Sequence, residues 1–392
     1  MITDTRAAVR VTSTLLADGR ELLYFDDSEP YVSGTATRRL DDPRPLADRF
    51  SPGPDGRTPD GPQLRRDPLT GEWVAMAAHR MNRTFLPPAD ANPLAPAQPG
   101  AAYQDGEIPA DDYDVVVFEN RFPSLVRVPG VDDEIALLDD EPLWQTRAAV
   151  GRCEVVCFSS DATASLATVG PRRMRTIIEA WAHRTAALNA VAGVEQVFVF
   201  ENRGREVGVT LHHPHGQVYA LPYLAPRTAT MLAAAREHRA RTGNLLGRDV
   251  LDAELRHGTR VVLESEHWVA YVPFAARWPV EVHLVPRRDV PDLPALSHDE
   301  RADLATSYLE LLRRLDLFFV DDEVPMPLPY ISGWHQAPAR EGREDWRLSL
   351  QLFSVLRAPG RLKYLAGVES GVAAWVSDTT PERIAARLQE LA

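Results

Sequence analysis

Two stretches of the 392-residue chain share one order of apolar and polar positions. In the first, the apolar run Glu154–Phe158 predicts a strand and Ser159–Pro171 a loop. A helix follows from about Arg172 to Val191, its apolar positions Met174, Ile177, Ile178, Trp181 and Leu188 recurring mostly at three or four residues. The β-type run Gln196–Phe200, the polar loop Glu201–Arg205 and a second β-type run, Val218–Leu221, complete it. In the second stretch, the strand Glu281–Val285 leads through Arg287–Ser297 to a helix over His298–Phe319. A run holding Tyr330, Gly333, Trp334 and His335 comes next, then the strand Arg347–Phe353. Strand, loop, long helix, strand, loop, strand thus occurs twice, which predicts an α+β fold made from a duplicated unit.

Around these units the pattern predicts helices over Pro226–Arg241, Asp249–His257 and Pro381–Leu391, the last capped by Thr379 or Thr380. The join near Tyr223-Leu224-Ala225-Pro226 divides the chain into residues 65–224 and 225–392. Residues 1–64 form an extension expected to be loop-rich, and 41–110 carry many Pro, Asp and Gly residues with little periodicity.

The chemistry concentrates in residues 212–217, His-His-Pro-His-Gly-Gln, just before Val218. If this segment is extended, His213, His215 and Gln217 leave one face of a strand. Pro214 stiffens the chain between the histidines, and Gly216 lets a bulky ligand approach the backbone beside His215. A strand presenting imidazoles and an amide suits a phosphoryl group, while clustered histidines also suit a metal. Spacing leaves both readings open.

Composition narrows the setting. Lys plus Arg is 43 against 56 Asp plus Glu, a net charge of −13, which disfavours non-specific nucleic-acid or anionic-membrane binding. A phosphorylated ligand would therefore need a local basic pocket. No apolar run approaches the roughly 20 residues that span a bilayer. The start, Met1-Ile2-Thr3-Asp4-Thr5-Arg6, lacks a signal-peptide core, so a cytoplasmic protein is expected. The only cysteines, Cys153 and Cys157, fall on one face of one strand and are expected to be buried and unbridged.

The run His213-Pro214-His215-Gly216-Gln217 resembles the core of the galactose-1-phosphate uridylyltransferases, a branch of the histidine-triad superfamily with glutamine where the hydrolases carry a third histidine. Similar segments extend from about Arg65 to Trp375. They include Asp67-Pro68-Leu69-Thr70 with Trp73, His79-Arg80 with Arg83, Val117–Phe122, Phe200–Gly204, Glu266-His267-Trp268, Trp278-Pro279, Gly333-Trp334-His335 and Lys363–Gly367 with Glu369. The resemblance implies a duplicated histidine-triad-like unit of antiparallel sheets with helices packed on them. It implies exchange of UMP between UDP-glucose and galactose 1-phosphate through a uridylylated histidine.

By position, His215 would be the nucleophile, with a backbone carbonyl near His213 accepting its Nδ1–H. Gln217 would donate to a phosphoryl oxygen and, unlike histidine, could not activate water. Asn202, Gly208, Val209 and Thr210 match the nucleotide and phosphate loop, Asn120 a uridine-side residue, and Arg80 and Arg83 the arginines that reach the diphosphate. Lys363, Tyr364, Val368 and Glu369 match the hexose-side segment, which the partner subunit of a homodimer supplies. Each has a plainer reading beside it: Asn202 and Gly204 as a turn, Arg80, Arg83 and Glu369 as solvated surface, His335 and His283 as packing.

Well-known members carry a zinc site whose positions correspond here to Asn92, Ala95, about Ala162 and His213, and some carry an iron-type site at Met231, His335, Ser349 and Gln351. One ligand in four does not hold a metal, so no cofactor is expected. Leu211 and His212 stand where many members have Asn-Pro. Two other functions compete: a related nucleotide phosphorylase or adenylyltransferase, and a non-catalytic nucleotide-sugar-binding protein. The segment Lys363–Glu369 favours a sugar nucleotide over the first, and the survival of His215 and Gln217 disfavours the second.

Overall fold

The computed structural model describes residues 9–44, 61–78, 80, 87, 92–97, 106–127, 133–321 and 324–392. The chain divides into two compact units: Met1–Ser165 with Glu179–Val197 and His213–Pro226, and Leu166–Ile178 with Phe198–His212 and Arg227–Ala392. In chain order the first stretch holds β1 (Arg10–Leu15), β2 (Glu21–Asp26), the short helix α1 (Glu29–Val32), β3 (Gln63–Arg66), β4 (Trp73–Met76), β5 (Val115–Glu119), β6 (Ala136–Leu137), β7 (Gln145–Ala148) and β8 (Arg152–Cys157). Helix α2 (Gly170–Asn189), β9 (Gln196–Arg203) and β10 (His215–Leu221) follow. Next come α3 (Pro226–Thr242), α4 (Leu246–His257), β11 (Val261–Glu264), β12 (Trp268–Tyr271), β13 (Val280–Pro286) and α5 (His298–Asp316). Then come β14 (Phe319–Asp321), β15 (Val324–Met326), β16 (Tyr330–His335), β17 (Ser349–Ser354), β18 (Leu356–Ala358), β19 (Arg361–Leu362), α6 (Gly367–Val372) and α7 (Pro381–Glu390).

In the first unit the strands run β1-β2-β5-β8-β10, each antiparallel to its neighbour. In the second they run β9-β16-β17-β13-β12-β11, again antiparallel. The duplication is legible in the wiring. A strand pair (β5 with β8, β12 with β13) leads to a long helix (α2, α5). One strand then passes (β9, β16), and the next pairs back on the second strand of the pair, β10 on β8 and β17 on β13. The fold is α+β, as the repeated pattern predicts.

Helix α2 buries Met174, Ile177, Ile178, Trp181 and Leu188, the positions its periodicity selects. Its Arg184 donates to both oxygens of buried Glu154 at 2.9 and 2.7 Å, so the even-numbered side chains of β8 face the helix. The odd-numbered face, with Cys153, Val155 and Cys157, is the one that His215, Gln217 and Tyr219 share, since these stand opposite Cys157, Val155 and Cys153 in register. Both cysteines are free and buried, as the spacing predicts.

Three expectations need correction. Residues 1–64 are not uniformly loop-rich, because β1 and β2 form a hairpin on the edge of the first unit's sheet. Its signature was present: a Val/Thr run, Asp18-Gly19, then Leu22-Leu23-Tyr24-Phe25, with Gly19 at a φ of +80° that favours glycine. Helix α5 stops at Asp316 because Phe319 opens the hairpin β14–β15. The strand expected over Arg347–Phe353 begins at Ser349, since Arg347 turns aside to pair with Asp289 at 2.7 Å.

Candidate active site

Strand β10 starts at His215, so His213 lies just ahead of it, across Pro214, with its ring 2% exposed. The Nδ1 of His215 lies 2.7 Å from the carbonyl of His213, which can only accept; Nδ1 therefore carries the proton and Nε2 carries the lone pair. Nε2 takes no hydrogen bond among the described residues. Burial pulls the His215 pKa below its ordinary value, partly offset by that carbonyl bond, so the ring is neutral at pH 7. The arrangement is a neutral imidazole with one nitrogen anchored and the other left as an electron-pair donor. Two residues on, the amide of Gln217 makes no hydrogen bond among the described residues and lies half-buried on the same face.

Around this strand the first unit assembles two more of the predicted side chains. Arg80 places Nη1 3.3 Å from the Tyr219 hydroxyl, 3.4 Å from Ser124 Oγ and 3.4 Å from the Phe122 carbonyl. Asn120 donates its N–H to the Cys153 carbonyl and accepts the N–H of Phe122 on Oδ1, holding the turn after β5. Arg83 lies outside the described residues.

In the second unit, Asn202 sits near the end of β9 opposite Ile331. The turn beyond it needs its glycines: Gly204 has φ +100° and a Cβ there would lie 2.6 Å from Pro329 Cβ, while Gly208 caps the Arg205–Val207 turn at φ +80°. Val209 and Thr210 continue from that cap, half-buried, toward His213 along the chain. Glu201 at the base of the turn is buried, accepts the Tyr330 hydroxyl at 2.7 Å, and has its pKa raised to about 7 by desolvation.

The segment Lys363–Glu369, which the resemblance places beside the hexose, does not fit the plainer reading of Glu369 as a solvated carboxylate. Glu369 is buried; its Oε1 pairs with buried Lys363 at 2.7 Å and its Oε2 accepts the Ala366 N–H at 3.1 Å. Tyr364 and Val368 are exposed, at 77% and 46%. The structure thus presents Tyr364 on a loop and Val368 at the start of α6, both in a segment braced by the Lys363–Glu369 ion pair.

Three polar residues were not singled out from the sequence: Tyr113 and Ser159 on the His213 ring, and Tyr219 beside Arg80 further along β10. Tyr219 could have been found, since it continues the alternation of His215 and Gln217. Tyr113 and Ser159 carry no sequence signal; they reach the ring from distant segments.

The metal positions that the resemblance implies do not fit a metal. Ala95 offers no ligand atom, Asn92 directs its amide nitrogen at His213 Nδ1, 3.0 Å away, and His213 Nε2 is engaged at 2.7 Å by both Tyr113 and Ser159. At the second set, His335 Nε2 is bonded to Gln351 Oε1 at 3.2 Å, with Met231 and Ser349 as poor donors. Among the described residues no group of three or more His, Cys, Asp or Glu side chains could hold an ion.

A duplicated antiparallel α+β unit presenting His-Pro-His-Gly-Gln at the head of a strand defines the histidine-triad class of nucleotide-handling proteins. Comparison with known proteins narrows the class. Family models for the N-terminal and C-terminal domains of galactose-1-phosphate uridyl transferase match residues 57–225 and 232–392. A galactose-1-phosphate uridylyltransferase of Streptomyces lividans is 44% identical over 98% of both chains. One of Thermotoga maritima is 34% identical over 84% of this chain and 98% of its own. A solved uridylyltransferase structure superposes with a TM-score of 0.73 at 31% identity, covering 84% of this chain and 98% of that one. The chain belongs to the galactose-1-phosphate uridylyltransferase family.

Proposed function

We propose that the protein exchanges UMP between UDP-glucose and galactose 1-phosphate, giving glucose 1-phosphate and UDP-galactose, with His215 as the transient carrier. Nε2 of His215 attacks the α-phosphorus of UDP-glucose, the bond from that phosphorus to the bridging oxygen breaks, and glucose 1-phosphate leaves with the electron pair. A phosphate oxygen of galactose 1-phosphate then attacks the same phosphorus, the P–N bond breaks, and neutral His215 is restored. The observation that carries this reading is the 2.7 Å bond from His215 Nδ1 to the His213 carbonyl, which aims Nε2 outward as a neutral nucleophile. Gln217, in the same face, supplies an amide N–H to the charge that develops on the phosphoryl oxygens and offers no base for water.

Asn202, Gly208, Val209 and Thr210 hold the nucleotide phosphates, Asn120 the uridine side, and Arg80 and Arg83 the diphosphate by charge-assisted bonds. Lys363, Tyr364, Val368 and Glu369 meet the hexose across the interface of a homodimer, with Tyr364 and Val368 forming the contact surface and the Lys363–Glu369 pair shaping it. No metal takes part, and the protein works in the cytoplasm. The test is stoichiometric. UDP-glucose without acceptor releases about one glucose 1-phosphate per chain in a burst, and galactose 1-phosphate then discharges the enzyme. A His215→Ala chain that still gives the burst contradicts the proposal.

A further inference from the structure

We infer that Asn92 and Tyr113 are positioning residues of the transferase strand: together they admit a single tautomer of His213, and through the His213 carbonyl they set the aim of His215. The inference deepens the reading of His215 as uridylyl carrier and rests on it.

The donors and acceptors leave one solution. The backbone N–H of Leu94 can only donate, and it lies 3.0 Å from Asn92 Oδ1, which fixes the orientation of that amide. Asn92 Nδ2, a donor, is 3.0 Å from His213 Nδ1, so Nδ1 must accept. Neutral imidazole then carries its proton on Nε2, which is 2.7 Å from the Ser159 carbonyl, an acceptor, and 2.7 Å from the Tyr113 hydroxyl. Tyr113 donates its own proton to the Leu94 carbonyl at 2.8 Å, leaving its oxygen to accept. The opposite tautomer would set N–H against the Asn92 amide and a lone pair against the Ser159 carbonyl. The imidazolium would keep the first clash.

Burial supports this. His213 is 2% exposed and Tyr113 1%, so water cannot substitute for a lost partner. The His213 pKa is accordingly depressed to about 4, chiefly by desolvation. The ring is pinned at both nitrogens, and Pro214, whose carbonyl accepts the Phe158 N–H at 3.1 Å, fixes the chain on the other side. The carbonyl of His213 is therefore held from both directions, and it is the group that orients the His215 ring.

The experiment pairs ring nitrogen NMR of the ¹⁵N-histidine-labelled full-length protein with the rate of His215 uridylylation by UDP-glucose. The native protein is expected to show His213 as the neutral Nε2–H tautomer from pH 5.5 to 8. Asn92→Asp preserves size and the Leu94 bond but replaces a donor by an acceptor. His213 should become imidazolium at pH 7, and uridylylation should slow by about 10- to 100-fold with little change in UDP-glucose KM. Tyr113→Phe keeps the packing and should slow it by a smaller factor. Asn92→Gln, which retains the donor, should recover part of the rate. A native His213 that is Nδ1–H or charged at pH 7 overturns the inference, as do both variants reacting at the native rate. The expected tautomer in a native protein that never acquires an adduct would instead sink the proposed function alone, because the NMR reads the ring without substrate.

Discussion

Strands β10 and β17 occupy the same place in two copies of one unit, and their side chains are spent in opposite ways. On β10 the half-buried face carries His215, Gln217 and Tyr219; His215 Nδ1 and the Tyr219 hydroxyl are engaged, while His215 Nε2 and the Gln217 amide stay uncommitted among the described residues. On β17 the corresponding face is closed on itself. Gln351, 4% exposed, donates to Glu281 Oε1 at 2.6 Å and accepts from His335 Nε2 at 3.2 Å, and Phe353 stacks on Trp278 with ring centres 4.4 Å apart. Glu281 in turn takes the backbone N–H of Arg277 at 2.6 Å. Engaged polar groups rigidify a fold, whereas uncommitted ones on a reachable face can bind; even here His335 Nδ1 makes no hydrogen bond among the described residues. One frame therefore yields a strand whose glutamine amide is open, as on β10, or one whose glutamine amide is engaged, as on β17, depending on its neighbours.

The comparison breaks most visibly if the second copy has no share in the chemistry. Glu369 braces its segment through Lys363, so Glu369→Gln is the appropriate lesion, keeping the acceptor for Ala366 while losing the charge. Chains carrying it and chains carrying His215→Ala are each expected to be inactive with galactose 1-phosphate. After subunit exchange at equal amounts about a quarter of native activity should return, because a two-fold dimer with shared sites keeps one intact site per mixed pair. No recovery, or a monomer by light scattering, removes the shared-site proposal.

The two glutamines sharpen the contrast. Gln217→Ala should lower the rate of uridylylation by about 10²- to 10³-fold, with the melting temperature unchanged, since it removes a donor to the developing charge. Gln351→Ala should leave that rate nearly intact and cost about 1–3 kcal/mol of stability, because the buried Glu281 carboxylate and the His335 ring lose a partner. Denaturant unfolding and single-turnover kinetics on both variants check the pair; swapped outcomes would reverse the assignment of roles.

Each copy also holds a neutral histidine, His213 buried and His335 half-buried. His213 and His335 have pKa values lowered to about 4 by desolvation, against 6.5 in an ordinary environment. Between those values the unfolded chain binds protons that the native chain does not. Their contribution is therefore whole above about pH 6.5 and is lost as pH falls toward 4. Glu201, raised to about 7, acts in the opposite sense and loses its contribution as pH rises through 7. Moving from pH 6.5 to 5 should cost roughly 2 kcal/mol at most for each histidine. In His335→Gln the loss over that interval should be smaller; an unchanged pH profile would show that His335 is not held neutral.

The smallest effect expected is that of metal removal. Elemental analysis of protein purified without chelator should find no stoichiometric zinc or iron, and chelator dialysis should leave the rate unaltered. About one ion per chain surviving dialysis would show the Asn92–His213 arrangement to be incomplete.

Much of this contrast was legible in the residues. The repeated strand–helix–strand order gave the duplication, and the alternation of His215 and Gln217 gave their shared face, because period-two spacing survives in any antiparallel strand. The hairpin β1–β2 escaped because a Pro- and Gly-rich region follows it and drew the whole extension into one description. The engagement of Gln351 was invisible as well: nothing in Leu348–Phe353 reveals that Glu281 and His335, on two other strands, will meet it. Likewise the clamp on His213 by Tyr113 and Ser159 joins residues far apart in the chain, and only register and burial bring them together; Lys363 and Glu369 are near in the chain, but nothing in that segment signals that both are buried.

The most direct test is to locate the covalent adduct. Protein incubated with UDP-glucose, digested at neutral pH and analysed by tandem mass spectrometry should carry UMP on His215 and on no other histidine, with none on His283 or His335. UMP on a histidine of the second copy, or a native protein that turns over UDP-glucose with His215 unmodified, would contradict the division of roles between the two strands.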